Sequence, residues 1–397
     1  MANFDVKSIE RHNDVGGIYI PNFIFAMLQI FQLLMLYALT NQNTSVESLC
    51  SYAIFGFGML LFVFSVFLKG YIEKGEVFLF AFMFYLVVTF YIFETRQIIF
   101  PFLLQYILML TVWSSARIVK LTDTLIRFLH FCVFLQVVLL TSLYFSPQAY
   151  AAFVDGTDVS DLLTLGFSNP NQTGIVLCNL IGNLLILIKF SKNKFVKTIY
   201  SISIIILCYF LFLCDARTSI FTTFFILGYY IFFRRRNNKS RPHYVMIFLI
   251  FISSLIFLYI YLYMYNNEIW ADLEIFGKKL FSGREQIYSR EFERWTNTWF
   301  GDMNRFYFRN SHNAMLTILI NTGVIGLLFY IIHTFSNIKK IYDKYCLNTS
   351  NIGFIIIMSL FVNACAESSG LVSGTIYFNN MLLVCVLAEK EFDEKGA

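Results

Sequence analysis

Twelve long apolar runs divide the chain, and they constrain its fold more than any other feature. They lie near residues 18–40, 49–68, 76–93, 97–113, 125–145, 171–188, 198–214, 217–233, 244–265, 314–335, 352–366 and 374–388. A helix that crosses a bilayer needs about 20 mainly apolar residues, which most of these runs approach or exceed. The pattern predicts an all-α polytopic membrane protein of about twelve transmembrane helices, with residues 1–397 forming a single integral membrane domain.

The composition agrees with this prediction and excludes several functional classes. Of the 397 residues, 58% are hydrophobic and 14% are charged, whereas soluble domains carry about 25% charged residues. So apolar a chain is neither a disordered protein nor an ordinary soluble enzyme, and it gives no sign of a nucleic-acid partner.

The distribution of basic residues predicts the orientation in the membrane. If the N-terminus is cytoplasmic and the loops alternate, most of the 30 Lys and Arg residues fall in cytoplasmic segments, and the short external loops contain only Arg96 and Arg217. Cytoplasmic loops carry an excess of Lys and Arg, so we expect both termini in the cytoplasm. The longest polar segment, residues 266–313, then becomes a large external loop between the ninth and tenth helices. Loops of this length are usually functional or disordered.

This external loop contains candidate catalytic and phosphate-binding residues. His312, directly before the tenth helix, is the one histidine predicted outside; it is a candidate general base, and a helix cap is the alternative. Arg284 and Arg290 lie beside an apolar stripe with helical spacing, which predicts a helix lying flat on the outer membrane surface. The stripe consists of Tyr288, Phe292, Trp295 and Trp299. Arginines at this depth bind phosphate groups through bidentate hydrogen bonds, with lipid headgroups as the alternative ligand.

Two further charges lie close to predicted external helix ends. Arg217 stands between two apolar runs, where a charge is costly and therefore a candidate functional group. The alternative is a local pair with Asp215 at a turn between helices. Glu367 is a similar candidate near a later helix end.

The sequence has no Walker A motif, GxGxxG fingerprint, HExxH motif or EF-hand loop. External His, Cys and carboxylate residues show no metal-ligand spacing, so we expect neither a metal nor a cofactor. Nucleotide sugars are absent outside the membrane, so an enzyme there needs a lipid-activated substrate. A lipid diphosphate is the obvious leaving group.

Four segments resemble motifs of the bacterial O-antigen polymerase and O-antigen ligase superfamily. Residues 311–329, SHNAMLTILINTGVIGLLF, are similar to the signature that opens a helix after the family's large external loop. The others are SGR at 282–284, DART at 215–218 and GFSNPN at 166–171. Their order and predicted side match the family, whereas the first half of the chain matches it only in hydropathy.

The resemblance implies a GT-C-type glycosyltransferase fold in the bacterial cytoplasmic membrane, with the active site facing outside. It implies metal-independent transfer of glycan from undecaprenyl diphosphate to an acceptor hydroxyl. His312 would be the base, and arginines would hold the diphosphate. The resemblance makes Arg217 and Arg284 candidate diphosphate ligands, and it makes Asn313 and Asn171 candidates for sugar or backbone contacts. By their positions, Arg290 is a further candidate diphosphate ligand and Glu367 a further candidate substrate contact.

The expected function is therefore an O-antigen or capsule polymerase that transfers glycan to a lipid-linked repeat unit. The nearest alternative is an O-antigen ligase that uses the same donor with lipid A-core or a protein as acceptor. A lipid-linked oligosaccharide flippase or other transporter is the alternative from another class, although no internal repeat is visible. The expected partners are an undecaprenyl-diphosphate-linked oligosaccharide, membrane lipid, and a chain-length regulator and flippase of the same pathway.

Overall fold

The protein was analysed as a computed structural model. It describes residues 14–15, 18–40, 43–69, 71–92, 100–150, 153–154, 157–158, 162–167, 169–233, 244–275, 278–279, 281, 283–293, 299–301, 311–347, 352–367 and 374–393. Within these residues the chain forms fourteen α-helices, a short 3₁₀ turn and three antiparallel pairs of two-residue strands. The fold is all-helical, as the apolar runs predict.

The helices are numbered here in chain order. They are α1 (Ile20–Thr40), α2 (Thr44–Lys69), α3 (Lys74–Ile92), α4 (Phe100–Ile118), α5 (Asp123–Tyr144), α6 (Pro170–Phe190), α7 (Lys194–Leu213), α8 (Arg217–Phe233), α9 (Tyr244–Phe251), α10 (Ser253–Asn266), α11 (Arg284–Glu293), α12 (Ala314–Leu347), α13 (Ile352–Asn363) and α14 (Thr375–Asp393). The strand pairs lie in connecting segments: Asp14–Val15 with Ile18–Tyr19, Phe153–Val154 with Thr157–Asp158, and Glu274–Ile275 with Lys278–Lys279.

Each predicted apolar run overlaps at least one helix. The ninth run forms two helices, α9 and α10, because the backbone leaves the helical conformation at Ile252, before two consecutive serines. In the described residues, α1, α2, α5, α6, α7 and α12 are long and apolar enough to cross a membrane, and α3, α13 and α14 contain shorter apolar stretches. The protein is thus a helical membrane protein.

Helices α6, α13 and α14 form the centre of the bundle. The apolar part of α6 is 89% buried, whereas that of α2 is 28% buried, so α2 presents most of its surface to the surroundings. Helix α6 packs against α7, α8, α13 and α14. Its contact with α8 depends on Gly174, because a Cβ there would lie 2.5 Å from Cβ of Ala216. Small residues allow such close approach between helices.

Helix α12 is interrupted at Gly323, where φ is 70° and ψ is −174°. Residues 299–301, which precede α12 in the chain, pack into this interruption. The amide of Ile325 donates to the carbonyl of Trp299 at 3.3 Å, and the Tyr85 hydroxyl donates to the carbonyl of Thr322 at 2.6 Å. Backbone groups freed by a broken helix need such partners inside a membrane protein. The interruption therefore anchors residues 299–301 to the first third of α12.

Charged residues collect at the end of the bundle that contains the C-terminal half of α12. We call these residues the basic-end network: Lys69, Glu73, Glu76, Arg117, Lys340 and Glu389. Within it, Arg117 donates to Glu73 at 2.5 Å and to Asn337 at 2.6 Å. The network joins the ends of α2, α4, α12 and α14 to the start of α3.

Candidate active site

The candidate site lies where several helix ends meet, at the opposite end of α12 from the basic-end network. The amide of Ala314, the first residue of α12, donates to the carbonyl of Ala364 just beyond α13 at 3.0 Å. The Asn363 side chain donates to the Ser219 hydroxyl on α8 at 3.1 Å. These bonds bring the N-termini of α8 and α12 to the C-terminus of α13.

Asn313 holds this junction together. Its side-chain amide donates to the carbonyls of Ser254 and Cys365, at 2.8 and 3.1 Å, and its oxygen accepts the amide of Leu316 at 3.0 Å. The last bond caps the N-terminus of α12. Because the residue is 0% exposed and both amide protons are used, Asn313 positions its neighbours. Of the two contacts expected for Asn313, a sugar or the backbone, this geometry favours the backbone.

His312 precedes this cap in a left-handed conformation, with φ of 54°. A non-glycine residue pays a conformational cost there, and such strain often accompanies function. The backbone carbonyl of His312 accepts a hydrogen bond of 3.4 Å from the Tyr288 hydroxyl. The imidazole is 26% exposed and therefore accessible, and its Nδ1 atom lies 3.5 Å from Oε2 of Glu367.

Glu367 connects His312 to Arg284. Its Oε1 atom accepts a hydrogen bond of 2.7 Å from Arg284, which is the first residue of α11. The side chain of Glu367 is 5% exposed and that of Arg284 is 22% exposed. The carboxylate, predicted as a substrate contact, is thus largely enclosed and binds two other candidates. We call His312, Arg284, Glu367 and Arg217 the Glu367 cluster.

Arg217 joins the cluster through electrostatics. It is the first residue of α8, directly after a turn in which Asp215 adopts a φ of 49°. Burial lowers the pKa of Arg217, and the positive charge of Arg284 lowers it further, whereas Asp215 opposes this shift. The backbone amide of Arg217 also donates to the carbonyl of Asp215 at 3.1 Å within this turn. An anion beside the two guanidinium groups would offset their mutual repulsion.

Tyr288 and Tyr261 support the cluster, and the sequence analysis did not identify these roles. The two rings contact edge to face with centroids 5.8 Å apart. Burial raises the pKa of Tyr288, so its phenol stays a neutral donor to His312. The prediction of a lipid-facing stripe is wrong for Tyr288, which is fully buried against the protein. Its position four residues after Arg284, on the same helical face, is the signal that could have indicated this contact.

Two other candidates lie apart from the contacts of the cluster. The Arg290 side chain is 53% exposed, and its Nε atom lies 3.9 Å from the neighbouring Glu291. Among the contacts of the described residues, Arg290 is not joined to Glu367 or His312. Asn171 lies half-buried in the first turn of α6, where its backbone amide donates to the side-chain oxygen of Asn169 at 2.8 Å. Gly174, one turn later, packs on α8, so Asn171 lies near the helix end that carries Arg217.

The cluster combines an imidazole and a carboxylate with two guanidinium groups, which could serve as a base and as ligands of an anion. In the residues that the structure describes, no group of three or more His, Cys, Asp and Glu side chains has metal-ligand geometry. Comparison of the chain with family models, curated proteins and solved structures finds no match. The functional assignment therefore depends on the geometry of the cluster and on the short motifs.

Proposed function

We propose that this protein is a polysaccharide polymerase that transfers glycan from undecaprenyl diphosphate to a lipid-linked repeat unit. The observation that carries the proposal is the meeting of His312, Arg284 and Glu367, with Arg217 beside them. These residues come from four separate parts of the chain. An imidazole can activate an acceptor hydroxyl, and two guanidinium groups can hold an anionic leaving group.

In the proposed reaction, His312 removes a proton from a sugar hydroxyl of one repeat unit. The hydroxyl oxygen attacks the anomeric carbon of the growing lipid-linked chain, and the bond between that carbon and the diphosphate oxygen breaks. Undecaprenyl diphosphate leaves while Arg217 and Arg284 hold its negative charge. A positioned general base contributes about 10²–10⁴-fold in rate.

The proposal includes twelve spans, a GT-C-type fold and cytoplasmic termini in the bacterial cytoplasmic membrane. The separation of charges along α12 supports the orientation. His312 precedes the first turn of α12, and Lys340 of the basic-end network lies near the other end of this helix, beyond the interruption at Gly323. With the basic end in the cytoplasm, the Glu367 cluster faces outside.

The test is chain extension by the purified protein from a synthetic undecaprenyl-diphosphate repeat unit. His312→Ala should lose at least about 100-fold in rate because the base is gone. Arg284→Lys should also lose activity, since lysine cannot make the bidentate contact. His130→Ala is the matched control, because His130 pairs with Tyr200 elsewhere, at 2.6 Å. Full activity of His312→Ala would refute the assigned base.

A gene deletion separates the polymerase from its alternatives. Cells that lack a polymerase should carry single repeat units on their surface glycan. Loss of a ligase should leave long chains that are not attached to an acceptor. Loss of a flippase should trap repeat units on the cytoplasmic leaflet, and either of these last two results contradicts the polymerase proposal.

A further inference from the structure

Glu367 offers its two carboxylate oxygens to two different members of the cluster. The bond from Arg284 is 2.7 Å long, as expected for a charge-assisted hydrogen bond, whereas His312 Nδ1 lies at 3.5 Å. The carboxylate is therefore engaged mainly with Arg284. The contact with His312 is at the outer limit of a hydrogen bond.

A diphosphate would compete for the same guanidinium group. Arginine binds phosphate oxygens in bidentate fashion, and a diphosphate carries more negative charge than one carboxylate. Arg284 is 22% exposed, so it is accessible to such a ligand, whereas Glu367 is 5% exposed. Once Arg284 turns to the diphosphate, Glu367 becomes a buried charge that has lost its partner, which is costly. The Nδ1 atom of His312 is the other group already within reach.

We propose that Glu367 is a positioning residue that exchanges Arg284 for His312 when the donor diphosphate binds, an inference that rests on the function proposed above. In the exchanged state Glu367 accepts a hydrogen bond from the protonated Nδ1 of His312. The neutral imidazole then carries its lone pair on Nε2, which faces the acceptor as the base. A carboxylate on one ring nitrogen fixes the tautomer and orientation in this way.

The exchange makes the base competent only after the donor has bound. It also predicts that Glu367 opposes diphosphate binding, because the carboxylate and the diphosphate compete for Arg284. Glu367→Gln should therefore bind the diphosphate more tightly and turn over more slowly. A carboxylate that only kept Arg284 in place would have the opposite effect on binding, since its loss would leave Arg284 misplaced.

The first measurement is the affinity of the full chain, in lipid nanodiscs, for undecaprenyl diphosphate by isothermal titration calorimetry. Glu367→Gln should bind about 10-fold more tightly than wild type. Glu389→Gln is the matched control, because Glu389 lies 3.9 Å from Arg117 in the basic-end network; its affinity should equal that of wild type. Absence of binding to wild type would contradict the proposed function and the exchange together. Wild-type binding that Glu367→Gln fails to tighten would overturn the exchange alone.

The second measurement is the split between kcat and KM in the chain-extension assay. Glu367→Gln should lower kcat by up to about 10⁴-fold, as loss of the carboxylate that orients a catalytic histidine does, and lower KM for the donor. If Glu367→Gln does not fold, the same two measurements are made on Glu367→Asp. This variant keeps the carboxylate that competes for Arg284, but its shorter side chain does not reach His312 as well. Unchanged affinity with reduced kcat in Glu367→Asp supports the exchange. A parallel loss of affinity and kcat in either variant overturns it.

Discussion

The interruption of α12 makes a sharp prediction about Gly323. A Cβ at this position would fall against the carbonyl oxygen of Trp299 and the amide nitrogen of Gly301, closer than real Cβ atoms approach backbone. Its backbone conformation is also one that is essentially restricted to glycine. The backbone strain costs about 1–3 kcal/mol, and forced overpacking costs about 1–3 kcal/mol. Gly323→Ala should therefore destabilise the protein by about 2–6 kcal/mol.

The measurement is the melting temperature of the purified protein in detergent. At about 2 °C per kcal/mol for a large chain, Gly323→Ala should lower it by about 4–12 °C. Two controls separate the causes. Gly283→Ala has a positive φ of 87° but open space around it, so strain alone should cost about 1–2 kcal/mol. Gly228→Ala has neither a positive φ nor a neighbour within 4 Å, so it should be neutral or slightly stabilising. Equal melting temperatures for Gly323→Ala and Gly228→Ala would refute the close packing of loop and helix.

Two further predictions concern stability. Asn313→Ala should lower the free energy of unfolding by about 3 kcal/mol, because it removes the cap of α12 and leaves two carbonyls without their donor. The control is Asn267→Ala, which removes an exposed side-chain amide that donates to a carbonyl of its own helix, and it should change the melting temperature little. The second prediction concerns Glu73. Burial raises the pKa of this carboxyl, but the hydrogen bond from Lys340 and the charges of Arg117 and Lys69 outweigh burial and hold the pKa below its ordinary value of 4.5. Glu73 should therefore stabilise the fold above about pH 4.5 and lose this contribution as the pH falls further, so the melting-temperature difference between wild type and Glu73→Gln should shrink on acidification. A difference that stays constant with pH would contradict this role.

The helical fold could be predicted because a membrane imposes one simple rule on sequence. Long apolar runs have to form helices there, and each run overlaps a helix. Finer features depend on contacts that hydropathy does not report. The break before Ser253 and Ser254 coincides with a hydrogen bond from Asn313, a residue about 60 positions away. The interruption at Gly323 depends on residues 299–301, a preceding segment that packs into it.

From the sequence we expect His312, Arg217 and Arg284 at one site, but nothing in the sequence places Glu367 among them. His312 is identified as the histidine predicted outside the membrane, Arg284 by its position beside a predicted surface helix, and Glu367 by its position near a helix end. The contacts of Glu367 with His312 and Arg284 join residues that are far apart in the chain, and no motif or periodicity indicates them. Asn313 is a candidate for a sugar or a backbone contact, and its 0% exposure and its hydrogen bonds to backbone carbonyls support the backbone contact. Arg290 fails to join the cluster since it lies on another face of α11 from Arg284.

The order of the Glu367 cluster along the chain has a consequence for biosynthesis. Arg217, Arg284 and His312 are all made before Glu367, whose carboxylate follows α13. A ribosome releases these helices into the membrane in that order. Until Glu367 is made, the nascent chain holds Arg284 and His312 without the carboxylate that contacts both of them. Assembly of the cluster is thus delayed to a late stage of membrane insertion.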